Sequence, residues 1–350
     1  MTVDEPEQLF APVPLRWLGP IRIGGNVFQG EQEVPLATYE TTLWPSVRRG
    51  AHVSTLVEGG IQCTLVDERM TRSVLFECGT AAVAYEAAQR ITASEEQLAQ
   101  VVTETSRFAK LIRINTEIVG NLLFVRFEFT TGDAAGHNMV TLASEKLMDA
   151  ILRDQPHLHY GSISGNLCTD KKTSAVNGIW GRGKNVVAEI LIPKELLERR
   201  LRTTAHEMEQ LNIRKNLVGG TIAGSLRSAN AHYANMLLGF YLATGQDAAN
   251  IVEGSQGITH AENRNGDLYF SCTIPNLIVG SVGNGKGLSL ITENLERLGC
   301  REEAHAGENA RKLAVLCAAT VLCGELSLMA AQTNPGELMA AHVKFERESK

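Results

Sequence analysis

Residues 109–132, AKLIRINTEIVGNLLFVRFEFTTG, decide the fold. They read as two strands, AKLIRINTEIVG and NLLFVRFEFTTG, because apolar β-branched and aromatic residues dominate both runs and no helical period is sustained. Before them lie a strand-like SVLFE (73–77) and a helical GTAAVAYEAAQRI (79–91); after them comes a second helical pattern, NMVTLASEKLMDAIL (138–152). Strand, helix, two strands and helix in that order predict a compact α+β module with antiparallel strands, ending near Tyr160.

Around this module the pattern changes. Residues 20–38 mix glycine, proline and short apolar runs, which predicts short strands and turns. Beyond Lys184 a strand-like VVAEILI (186–192) leads to a helix opened by Pro193 and running to about Leu211. Helical patterns follow at Ala229–Thr244 and Asn309–Gln332, separated by the strand-like LYFSCTI (268–274) and a glycine-rich turn. The apolar run Leu313–Leu328 is interrupted by Gly324 and Glu325 and falls short of the roughly 18 uninterrupted apolar residues of a membrane span, so it predicts a buried core helix.

Composition narrows the class. A chain of 350 residues allows two domains, and 44% hydrophobic with 21% charged residues excludes disordered and fibrous classes. Lys and Arg number 33 against 39 Asp and Glu, and the resulting net charge of -6 argues against a broad nucleic-acid surface. Seven scattered cysteines without a CxxC pair suit reduced thiols better than disulfides or a zinc site. The acidic, proline-broken N-terminus lacks the basic region and apolar core of a signal peptide. A cytoplasmic protein with no membrane or nucleic-acid partner and no metal is expected.

Several segments hold residues that could carry chemistry. TTGDAAGHNM (130–139) follows a strand and opens a helix, so its amides could receive an anion, although a plain helix-entry turn also explains its glycines. VGSVGNGKG (279–287) allows close approach of a ligand, but it lacks phosphate-loop spacing, and a tight loop between strand and helix accounts for it. Asp170-Lys171-Lys172 sit among small polar residues in a loop; such lysines are usually solvated, yet one held against an aspartate can stabilise an oxyanion. Asp247 falls at the end of a helical pattern, where the helix dipole disfavours an acid. Glu40 beside an apolar run and His342 in the polar tail have no local signal of their own.

Read in order, VPLATYE, MTR, TSRFAKL, GDAAGHNM, SGNLCTDKK, GRGK, IRKNLVGG, NAHYAN, GQDAAN, CTIPNLIVGSVGNG and GENARKLA…GELSLMAA resemble the hydroxymethylglutaryl-CoA (HMG-CoA) reductase family. The resemblance covers about residue 18 to the tail, and SGNLCTDKK and GQDAAN are its strongest parts. The SRF tripeptide and the long SGNLCTDKK segment make the chain more similar to the eukaryotic and archaeal form than to the NADH-linked bacterial one.

The resemblance implies an α+β fold in which a helix-rich large substrate-binding domain (1–73 and 162–350) is interrupted by a small ferredoxin-like nucleotide-binding domain (74–161). It implies NADPH-dependent reduction of HMG-CoA to mevalonate and CoA through mevaldehyde, in a homodimer or larger assembly whose active site lies between subunits. The implied catalytic residues are Glu40, Lys171, Asp247 and His342: a proton donor to the mevaldehyde oxygen, an oxyanion cation, a tuning partner and a proton donor to the CoA thiolate. Arg72, Ser164, Asp170, Lys172, Lys215 and Asn235 would hold the substrate, and Ser46, Arg49 and Arg202 the CoA. Ser106, Arg107, Phe108, Asp133, Gly136, His137 and Asn138 would face the nucleotide, an arginine reading its 2'-phosphate.

The chain also departs from the family pattern. DAAGHNM stands where DAMGMNM is common, so His137 puts a titratable group near the cofactor and leaves NADH use open. GSVGNGK replaces GTVGGGT, and the family's ENxIG dimerisation segment is absent. Two other readings stay open here: the same fold working mainly in mevalonate oxidation, and a silent CoA-binding relative, against which stands the occupation of all four catalytic positions.

Overall fold

The computed structural model describes residues 9–283 and 285–343, apart from the side chains at 286, 341 and 342. In chain order its strands are β1 (Leu15–Gly25), β2 (Gly30–Ala37), β3 (Ile61–Glu77), β4 (Lys110–Val119), β5 (Leu122–Thr130), β6 (His159–Ser162), β7 (Gly183–Ile192), β8 (Ile258–Arg264) and β9 (Asp267–Leu277). The α-helices are α1 (Leu43–Leu56), α2 (Ala81–Ala93), α3 (Glu95–Thr103), α4 (His137–Asp154), α5 (Ala175–Trp180), α6 (Lys194–Leu201), α7 (Ala205–Leu211), α8 (Gly220–Ile222), α9 (Tyr233–Ala243), α10 (Ile251–Gly254), α11 (Ser289–Arg297), α12 (Glu308–Gln332) and α13 (Glu337–His342).

Strand β3 organises the molecule because it changes partner partway along. From Gln62 to Arg69 it pairs antiparallel with β7, inside the sheet path β2-β1-β3-β7-β9-β8. From Met70 to Glu77 it pairs with β5, which in turn carries β4. The SVLFE strand is therefore only the end of a 17-residue strand, and the expected boundary between residues 73 and 74 falls within its unbroken backbone.

Two apolar cores follow from this split. The smaller one packs Val74, Phe76, Val125 and Phe127 of β3 and β5 against Ile91 of α2 and Leu147 of α4, as the α+β pattern predicts. Helix α3 escaped that pattern because only Leu98 and Val102 mark its buried face. The larger core surrounds α12, which is apolar on all sides and therefore needs partners on all sides. Although α12 is long and apolar enough to cross a membrane, 94% of its apolar window is buried inside the fold, in keeping with a core helix. Gly50 lets α1 lie directly against it, since a Cβ there would come within 2.1 Å of the Cys323 carbonyl oxygen.

Four local expectations need correction. Residues 15–37 form two long paired strands, β1 and β2, rather than short ones. The helix expected from Pro193 to Leu211 is two helices: Arg202 adopts a left-handed φ of 55°, and a capping box between Thr204 and Glu207 starts α7. Beyond Leu211 the chain coils on in a wider π-type segment, Asn212–Gly219. Helix α9 begins at Tyr233 rather than Ala229, because the backbone of 229–232 is drawn away by Gly257, Thr259 and the Glu325 carboxylate.

Candidate active site

The loop between β6 and α5 carries SGNLCTDKK, and its backbone takes left-handed angles at three residues other than glycine: Asn166 (φ 61°), Thr169 (φ 35°) and Lys171 (φ 56°). Such angles are unfavourable for bulky side chains and persist only where the surroundings impose them. Here Asn177 donates to the Thr169 carbonyl, Arg182 grips Asp170, and the Lys171 amide donates to Glu253. The ammonium of Lys171 is 2.7 Å from the Asp247 carboxylate, so the lysine pairs with a distant aspartate instead of its neighbour. That hydrogen bond holds the Lys171 pKa above its usual value.

Asp247 does not end a helix. It caps the short helical turn Ala248–Asn250, accepting from the Ala249 amide, a position where an acid is favourable. Burial pulls its pKa upward, but the Lys171 hydrogen bond and the Ala249 amide hold it below the ordinary carboxylate value. Asp170 is likewise raised by burial and brought down further by Arg182, whose Nη2 lies 2.5 Å from it. Arg182, only 1% exposed, also donates to Thr71 on β3 and so ties the loop to the strand that spans both cores.

His137, the first residue of α4, reaches this cluster: its Nε2 lies 3.7 Å from Asp170 and is buried without a hydrogen-bond partner among the described residues. Burial, then the charge of Arg182, depress its pKa below the ordinary 6.5. The unfolded chain therefore takes up this proton first as pH falls below about 6.5, and folding stability drops through that window. Asp170 and Asp247 act at lower pH, since their depressed values keep their contribution intact above about 3.8. Urea midpoints measured against pH should show a shallower fall for His137→Met just below pH 6.5; an unchanged slope would refute the assignment.

The two glycine-bearing loops read separately in the sequence meet in space. Asp133 accepts from the Ser281 amide through its carbonyl, and a Cβ on Gly280 would come within 2.3 Å of the Ala135 nitrogen. The Asp133 carboxylate is engaged elsewhere, accepting from the Gly307 and Ala310 amides at the start of α12. Gly136 turns the chain into α4 with a left-handed φ of 96°, and among the described residues no side chain caps that helix, whose N-terminal amides are of the kind that receive an anion. Ser106 accepts from the Phe108 amide, Arg107 stacks 4.7 Å over the Phe108 ring, and that ring faces Gly132. The SRF segment and the TTGDAAGHNM loop are thus neighbours, and between them they carry a cation, an uncapped helix start and the exposed Asn138. This chemistry fits a phosphorylated nucleotide.

Glu40 is held by other residues. It accepts from Asn235 Nδ2 at 3.0 Å and from the Thr42 hydroxyl, and it lines a cavity of about 380 Å³ together with Ser46, Arg49, His232 and Glu337. Lys171 and Asp247 are not part of that lining. Arg49 is bound to Ser327 and forms a 2.6 Å ion pair with Glu337 of α13, which also lines the cavity.

Of the other expected residues, Arg72 donates to Thr141 of α4, Lys172 to the Asp170 carbonyl and Lys215 to Asn216, while Ser164 is exposed. Burial lowers the Lys215 pKa against the pull of Glu325. Arg202 sits exposed at the end of α6, where its carbonyl accepts from Asn334. The His342 side chain lies outside the described residues. Sequence reading missed Arg182 and Glu253; the glycines flanking Arg182 in GRGK were the only signal for the first, and nothing marked the second.

A model of the hydroxymethylglutaryl-coenzyme A reductase family matches residues 10–347. The chain is 46% identical over 323 residues to the 3-hydroxy-3-methylglutaryl-coenzyme A reductase of Pyrococcus horikoshii, covering 91% of this chain and 78% of that one. With the reductase of Methanothermobacter thermautotrophicus the identity is 42% over 336 residues, 96% of this chain and 83% of the relative. A solved class II 3-hydroxy-3-methylglutaryl-CoA reductase from Streptococcus pneumoniae, bound to NADPH in open conformations, shares the fold with a TM-score of 0.75 at 17% identity, over 95% of this chain and 88% of the other. These likenesses define an oxidoreductase of mixed α+β architecture. The chain belongs to the hydroxymethylglutaryl-coenzyme A reductase family.

Proposed function

We propose that the protein reduces HMG-CoA to mevalonate and CoA through mevaldehyde, with NADPH as hydride donor, in an active site completed by a second copy of the chain. The observation that carries this reading is the Lys171–Asp247 pair, held in a strained loop that also touches the start of α4 through Asp170 and His137. Lys171 is the cation that stabilises the oxyanion formed at the thioester and aldehyde carbonyls. Asp247 keeps it protonated and in place.

Glu40, oriented by Asn235, delivers the proton to the mevaldehyde oxygen, and His342 delivers one to the departing thiolate. Arg72, Ser164, Asp170, Lys172 and Lys215 hold the hydroxymethylglutaryl group. Ser46, Arg49 and Arg202 hold CoA, for which Arg49 must exchange its ion pair with Glu337; that exchange supports a moving α13. Ser106, Arg107, Phe108, Gly136, His137 and Asn138 receive the nucleotide, Asp133 acting by fixing their loop to α12, and the exposed guanidinium of Arg107 supports NADPH over NADH. Two molecules of NADPH, bound there in turn, would each supply one hydride.

That Lys171 does not line the Glu40 cavity within one chain supports a site shared between copies. So do the exposed Ile213, Val218 and Ile222 beside Lys215. Seven free, buried cysteines favour a reducing compartment and thus a cytoplasmic location. The test is an assay with HMG-CoA and NADPH or NADH, quantifying mevalonate and CoA, alongside sedimentation of the active species. About two NADPH oxidised per mevalonate, in a dimer or larger assembly, is the expected result; a fully active monomer, or turnover with neither nucleotide, would sink the proposal.

A further inference from the structure

Glu253 of α10 is fully buried, yet it belongs to no role described so far. One of its oxygens, Oε1, accepts from the Lys171 backbone amide at 3.1 Å and from Asn250 Nδ2 at 2.9 Å. Arg182 Nε stands 3.7 Å from that oxygen, and Oε2 has no hydrogen-bond partner among the described residues. A buried carboxylate is costly unless its hydrogen bonds do something specific. What this one meets is the backbone of the lysine at the centre of the site.

The geometry points to Glu253 as a positioning residue that holds Lys171 in its left-handed conformation and so aims the ammonium at the reacting carbonyl. The inference rests on the reading of Lys171 as the oxyanion cation. One short segment, from Asp247 to Glu253, grips the lysine at both ends: Asp247 takes the ammonium and Glu253 the amide. Arg182 braces the preceding residue, Asp170, from the same buried side. A lysine in open water needs no such clamp, but a cation meant for a single oxygen position does, because displacement by about 1 Å can cost on the order of a hundredfold in rate.

Steady-state kinetics with HMG-CoA and NADPH on Glu253→Met, Glu253→Gln and Lys171→Ala test this, with thermal melting to verify folding. Glu253→Met keeps the volume but removes the acceptor, and its kcat should fall by about a hundredfold while KM for the thioester stays within about twofold. Glu253→Gln retains an acceptor oxygen for the Lys171 amide and should recover most of kcat. Wild-type kcat in Glu253→Met, or equal impairment of the Met and Gln variants, overturns the inference. If Glu253→Met does not fold, Asn250→Ala, which removes the amide that orients Glu253, must lower kcat in the same way, and wild-type turnover there also overturns it. An active Lys171→Ala enzyme removes the underlying reading as well; an inactive one beside a fully active Glu253→Met removes only this inference.

Discussion

Lys171→Ala is expected to lower kcat by about 10²–10³-fold or more, the usual loss when a preorganised donor to a developing oxyanion is removed. Both partners of the Lys171–Asp247 pair are about two-fifths exposed, at 40% and 43%. A pair so exposed adds little to stability, so the loss should appear in turnover while the melting temperature hardly moves. In the active assembly, substrate and a second copy would exclude water from the same pair, and there a fixed positive charge acts in a low-dielectric medium. Lys171→Arg should not rescue it, because the planar guanidinium cannot place a compact charge where the ammonium stood. Initial rates of NADPH oxidation and mevalonate formation measure the effect, and a kcat within tenfold of wild type would rule out Lys171 as the oxyanion cation.

The second large effect concerns stability. Arg126 and Glu128 on β5 are both wholly buried and paired, and Glu128 also accepts from Asn115 and Arg69. Arg126 donates in addition to the Gly181 carbonyl and lies 5.5 Å from the Trp180 ring, so this cluster joins the smaller core to the segment entering β7. Burial depresses the Arg126 pKa, and Glu128 is the main charge opposing that depression. Glu128→Leu should therefore cost about 3–5 kcal/mol, since it strands a buried guanidinium without its counter-charge. The double variant Arg126→Met/Glu128→Leu should lose less than the single one, because an apolar pair of similar volume avoids the desolvation cost altogether. Urea unfolding gives both values; a single variant costing under about 1 kcal/mol, or a double variant worse than the single, would contradict this account.

How far the sequence could be read depended on the distance over which each feature is specified. The α+β module between β3 and β6 was legible because its periodicities lie within runs of ten or so residues, and the ordered motifs around SGNLCTDKK and GQDAAN identified the family. The partner switch in β3 between Arg69 and Met70 was not, since both halves of that strand look alike and only the sheet contacts differ. The break at Arg202 was hidden because a left-handed arginine is not a residue preference; packing imposes it. Asp247 reads as a helix-ending acid for a similar reason, since one turn of local structure reverses its relation to the backbone dipoles.

By itself, the sequence determined the fold class, the family, the candidate lysine and its partner acid, because these depend on short-range patterns and on the order of motifs. Only the tertiary structure decided that Asp170 pairs with Arg182, that the loops at Asp133 and Ser281 meet, that Glu253 supports the Lys171 amide, and that Glu40 shares a cavity with Arg49 and Asn235. Apart from the Asp170–Arg182 pair, these depend on residues far apart in the chain, and all of them acquire their partners only when packing brings the groups together and excludes water.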